Sequence, residues 1–92
     1  FAHMGGGLFL YELMPEVREA LADVYYDTAA VPYLYGNEVY DVAVACAGSE
    51  KLLFATDYPL LSPTRYTEGL SRLAPVDRAA VANGNARRVF RL

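Results

Sequence analysis

Cysteine and histidine occur once each in these 92 residues, as Cys46 and His3, and long apolar runs are missing altogether. A single cysteine excludes an intramolecular disulfide framework and fits a reducing compartment, so a cytoplasmic location is expected. No stretch approaches the roughly 18 apolar residues that span a bilayer, and no charged segment leads into an apolar one at the start. No membrane association is expected. Basic residues are also few: 8 Lys+Arg stand against 11 Asp+Glu, a formal charge of −3. That balance disfavours nucleic acid as a partner. Yet 54% of the residues are hydrophobic and only 21% charged, which excludes a disordered segment. At this length folding removes only about 60% of the unfolded chain's surface, so residues 1–92 form at most one small domain. The chain opens on Phe1 and an already strand-like FAH, and is expected to be a piece of a longer protein.

Three strand–helix units are legible. Strands are expected near residues 1–3, 23–28 (VYYDT within it) and 51–56 (LLFA within it), the last a continuous apolar run typical of a parallel strand covered on both faces. The glycines Gly5–Gly7 follow the first strand. A helical pattern over residues 8–22 places Leu10, Leu13, Val17 and Leu21 at steps of three and four, broken at Pro15, which opens the second piece. Asn37 is a candidate N-cap for a helix whose apolar face is Val39, Val42, Ala43 and Cys46, with Gly48 closing it. Ser62–Pro63 starts a helix to about Leu73, Pro75 starts another ended by Gly84, and Asn85 is a cap for a last short helix. Charge is split. Residues 1–50 hold one arginine and eight acids, net −7; residues 51–92 hold seven basic residues and three acids, net +4. Solvated helix faces, with arginines near helix carboxyl ends, account for that split. The sharper alternative has Arg87, Arg88 and Arg91 docking on another acidic surface.

Ionisable groups stand at the carboxyl ends of all three strands: His3 after FA, Asp27 within VYYDT, and Asp57 after LLFAT. Parallel α/β folds place ligands and catalytic groups at those ends. For His3 three roles stay open: metal ligand, general acid/base, or hydrogen-bonded core residue. Asp57 is either a metal ligand and proton acceptor or a turn residue bonding its own backbone before Pro59. Asp27, between Tyr26 and Thr28, reads better as a buried hydrogen-bonding group than as a catalytic one. The glycine run lacks the GxGxxG spacing of a phosphate cradle. Cys46 lies on an apolar helix face and belongs to the core. A phosphoryl-accepting receiver domain is disfavoured, because it needs an acidic pair closing its first strand.

The combination HMGGG, YELMPEVREAL, VYYDTAA, KLLFATDYPL–SP and GNARRVFRL resembles the carboxyl-terminal part of the amidohydrolase-related family. The resemblance covers nearly the whole chain. It implies an α/β fold: strands six to eight, about three βα units, of a parallel (β/α)8 barrel. Three-eighths of a barrel of about 250 residues is about 94. It implies metal-dependent chemistry on a small-molecule substrate, with His3 and Asp57 catalytic and Asp57 also a ligand of a divalent metal, expected to be zinc. A hydrolase attacking a C–N or ester bond is the first expectation; a non-oxidative decarboxylase on the same barrel is the alternative. A homo-oligomeric parent is compatible with it. The family's HxH on the first strand and its histidine on the fifth have no counterpart here, so the 92 residues alone are expected to be inactive.

Overall fold

The computed structural model describes all 92 residues. Two short strands, β1 (Tyr26–Asp27) and β2 (Leu52–Leu53), pair in parallel with Tyr26 opposite Leu52 and Asp27 opposite Leu53. The amino terminus joins them on the far side of β1. The Phe1 ammonium donates to the Tyr25 carbonyl at 2.6 Å, and the Asp27 N–H donates to the Phe1 carbonyl at 2.9 Å. A residue that bonds to both neighbours of its opposite number is the parallel ladder's pattern. The spatial order is therefore Phe1 segment, β1, β2, all parallel.

The regular pairing is shorter than the expected strands, for reasons visible at each end. At the first strand, His3 (φ 56°) and Met4 (φ 56°) begin a left-handed run that continues through the glycines to Gly7 (φ 94°). Gly5 needs to be glycine twice over: φ is +64°, and a Cβ would lie 2.9 Å from the Tyr26 ring. Beyond Asp27 the side chain of Thr28 takes over the ladder. Its hydroxyl donates to the Ala55 carbonyl at 2.7 Å and accepts from the Ala55 N–H at 2.9 Å. Asp57, at φ 61°, then turns the chain away.

Helices cover the sheet: α1 (Pro15–Ala20), α2 (Val31–Leu34), α3 (Val39–Ala47), α4 (Thr67–Ser71), α5 (Pro75–Ala79) and α6 (Asn85–Phe90). A 3₁₀ segment precedes α1, with the left-handed run at its start, so helical structure begins one type tighter than expected. Pro15 and Pro75 open α1 and α5, and the Ser62 hydroxyl accepts from the Thr64 N–H ahead of a 3₁₀ turn, Pro63–Tyr66, that leads into α4. Gly48 closes α3 at φ 95°. Three expectations fail. Asn37 does not cap α3: its side chain lies toward Gly69 of α4 instead. Gly84 is helical at φ −57° and carries a wide π turn, Ala80–Gly84, into α6 rather than ending a helix. Asn85 is buried, and its amide donates to the Ser49 and Leu52 carbonyls at 2.6 and 2.8 Å, tying α6 to the start of β2.

Tyr26, Tyr40, Tyr66, Met4, Leu52 and Leu61 are the largest apolar members of the buried core. Leu10 and Leu13, expected to face it, are exposed; Phe9 and Glu12 point inward in their place. Glu12 accepts from the Lys51 ammonium at 2.7 Å and from the Tyr26 hydroxyl, and Lys51 also caps the Leu21 carbonyl at 2.6 Å. This buried set pins the segment before α1 to the two strands. Of the terminal arginines, Arg88 donates to the Glu50 carbonyl at 2.7 Å and none forms an ion pair within the chain. No helix is long and apolar enough to cross a membrane.

Candidate active site

His3, Asp27 and Asp57 all lie where the three parallel segments end, on one side of the sheet. His3 follows the Phe1 segment on one side of β1, and Asp57 follows β2 on the other, four residues beyond Leu53.

His3 is half-buried and held at three points. Its backbone N–H donates to Asp27 Oδ1 at 3.1 Å, and its carbonyl accepts from the Tyr35 hydroxyl at 2.7 Å. Its ring Nδ1 lies 2.7 Å from the Ala29 carbonyl oxygen. The same Asp27 Oδ1 accepts from the Ala29 N–H at 3.0 Å, so one carboxylate oxygen fixes both the histidine and the residue its ring leans on. Asp27 is thus the hydrogen-bonding group the sequence pointed to.

Tyr66 links the ends of β1 and β2. Its hydroxyl accepts from the Ala30 N–H at 3.1 Å and donates to the Thr56 carbonyl at 3.2 Å, immediately before Asp57. Burial pushes the Tyr66 phenol up; the Ala30 N–H opposes this, and the carboxylates of Asp57 and Asp27 add to it. Burial alone raises the Tyr35 phenol. Neither tyrosine could be singled out by spacing, since Tyr66 reaches Ala30 from 36 residues away.

Asp57 is exposed at the rim, and its backbone carbonyl accepts from the Leu60 N–H at 2.8 Å, closing the turn through Pro59. Its carboxylate makes no hydrogen bond or ion pair within the chain, so both oxygens are open to a cation. One carboxylate is a ligand, not a metal centre. No three His, Cys, Asp or Glu side chains cluster closely enough to hold an ion. Nor is the rim enclosed: the two cavities, of about 250 and 350 Å³, are lined by Glu12, Lys51 and Arg88 in one case and by Phe1, Asp27 and Phe90 in the other. His3 and Asp57 line neither.

The family profile described as amidohydrolase matches residues 1–92, the full chain. The chain belongs to the amidohydrolase family. Solved structures similar to it bear out the fold expected from the sequence, the carboxyl-terminal portion, about three βα units, of a (β/α)8 TIM barrel. They include a 2,6-dihydroxybenzoate decarboxylase from Rhizobium, 20% identical over 98% of this chain with a TM-score of 0.79. A dihydroxybenzoic acid decarboxylase from Polaromonas sp. JS666, with bound manganese and the inhibitor 2-nitroresorcinol, is 19% identical over 99% of the chain, TM-score 0.79. The 5-carboxyvanillate decarboxylase LigW from Sphingomonas paucimobilis is 19% identical over 99%, TM-score 0.74. The amidohydrolase chain described here spans 33%, 32% and 32% of those three chains, respectively. Comparison with curated protein sequences finds no match.

Proposed function

We propose that this chain is the rim-bearing portion of a metal-dependent, non-oxidative decarboxylase of hydroxylated aromatic carboxylates. The observation that carries the reading is the pairing, at one end of the parallel strands, of a ring-clamped His3 with the open carboxylate of Asp57. The three solved structures named above support decarboxylation over the hydrolysis first expected, because each of the three is a decarboxylase. Asp57 would contribute one oxygen ligand to a divalent ion, its remaining ligands coming from outside these residues. Such an ion supplies Lewis-acid polarisation of substrate oxygens. Manganese in one similar structure supports a divalent metal without favouring zinc.

The remaining chemistry belongs to the chain's own side chains. Loss of carbon dioxide breaks a carbon–carbon bond and leaves its electron pair on the ring carbon. That carbon needs a proton. The ring of His3, with its Nδ1–H committed to Ala29, would take a second proton from solvent on Nε2 and pass that proton to the ring carbon, returning to the neutral Nδ1–H form. Tyr66 and Asp27 hold the strand ends on which the two groups ride.

The test is product analysis on the intact protein supplied with Mn²⁺ and offered 2,6-dihydroxybenzoate, 5-carboxyvanillate and a panel of phenyl esters and anilides. Carbon dioxide with the corresponding phenol is expected from the carboxylates, and His3→Ala should lower turnover about 10²–10⁴-fold. Hydrolysis of the esters or amides without carbon dioxide release would overturn the reading.

A further inference from the structure

We infer that Asp27 is a positioning residue that selects the tautomer of His3, so that Nε2 is the atom it offers to a reacting group. The inference rests on the decarboxylase reading only for what that atom then does. A carbonyl oxygen can only accept, so the 2.7 Å contact between Nδ1 and the Ala29 carbonyl places the ring proton on Nδ1. The neutral histidine side chain in water favours the opposite form, with the proton on Nε2. The protein must therefore hold the Ala29 carbonyl against the ring.

Asp27 does this with a single oxygen. Oδ1 accepts from the Ala29 N–H at 3.0 Å and from the His3 N–H at 3.1 Å. The two backbones, 26 residues apart, are thereby locked at a separation that the Nδ1 contact closes into a ring of hydrogen bonds. Tyr35 secures the other side of His3 by donating to its carbonyl, and Tyr66 holds Ala30 next to Ala29. His3 itself sits at φ 56°, a left-handed conformation that a non-glycine residue keeps only when its surroundings determine it. Without the Asp27 carboxylate neither the His3 N–H nor the Ala29 N–H keeps its hydrogen-bond partner.

The tautomer can be read without substrate, metal or turnover. The intact, metal-free protein is labelled with ¹⁵N-histidine, and the His3 ring signals are assigned by their loss in His3→Ala. At alkaline pH, where the imidazole is neutral, the wild type should show a protonated Nδ1 and a pyridine-like Nε2. Asp27→Ala should move the tautomer ratio about tenfold toward Nε2–H, the equivalent of one net hydrogen bond. Asp27→Asn keeps an oxygen in place for both N–H groups and should retain Nδ1–H. It serves as the deciding variant should Asp27→Ala fail to fold. A wild-type ring protonated on Nε2, an unchanged ratio in Asp27→Ala, or loss of Nδ1–H in Asp27→Asn would each overturn the inference. An Nδ1–H ring in a protein that releases no carbon dioxide would instead contradict the proposed reaction and leave the positioning role standing.

Discussion

Replacing Lys51 by methionine should be among the most damaging single changes to the fold. Glu12 is 1% exposed and Lys51 8% exposed, so the charges of this pair are held almost wholly out of water. In Lys51→Met the Glu12 carboxylate keeps only the Tyr26 hydroxyl as a partner. The Leu21 carbonyl is less affected, because it also accepts from the Val24 N–H at 3.0 Å. The cost is thus dominated by an uncompensated buried charge, about 3–5 kcal/mol. Removing the whole polar set at once, as Glu12→Leu, Tyr26→Phe and Lys51→Met together, should recover most of it and bring the protein within about 1 kcal/mol of wild type. Urea unfolding of the intact protein followed by far-ultraviolet circular dichroism reads both values; with no tryptophan in these residues, fluorescence is the weaker probe. A Lys51→Met cost under about 1 kcal/mol, the range of exposed pairs, would refute the placement of this network in the core.

Three further outcomes follow from the packing. The Tyr40 hydroxyl is buried with no hydrogen-bond partner, so Tyr40→Phe should stabilise the protein by about 1 kcal/mol in the same urea assay, and a loss of that size would contradict it. Gly5→Ala should cost about 2 kcal/mol or more, since it adds left-handed strain and a contact with the Tyr26 ring; a neutral result would mean the loop after His3 is not built as described. Burial pushes the phenols of Tyr26, Tyr35, Tyr40 and Tyr66 up from 10.0. Above about pH 10 the unfolded chain releases these protons while the folded one retains them, so stability, full below that pH, should fall steadily as the pH rises from about 10 in a urea-midpoint series. A flat profile would contradict their burial.

The strand ends were legible because parallel α/β architecture assigns them a role before any contact is known, and His3 stands directly after an apolar segment and Asp57 one residue after another. Proline and serine punctuation was equally local: Pro15, Ser62 and Pro75 begin helices as their backbone chemistry requires. What spacing could not carry were long-range partnerships. Asn85 has every property of a cap, yet tertiary packing turned it inward onto Ser49 and Leu52. Glu12 was invisible as a core residue because its justification, Lys51, lies 39 residues away. Leu10 and Leu13 show the reverse case, an apolar stripe that finds nothing to cover it among these residues. Tyr66 and Tyr35 support the site through hydroxyls that meet backbone atoms, a contact that leaves no motif.

Metal content and turnover, measured side by side in Asp57→Asn and His3→Ala of the intact protein, test the central assignment most directly. Asp57→Asn removes the charge and the basicity while keeping the size, so it should lose bound divalent metal and nearly all turnover. His3→Ala should keep its metal and lose turnover about 10²–10⁴-fold. An Asp57→Asn protein with full metal content and normal turnover would contradict the account.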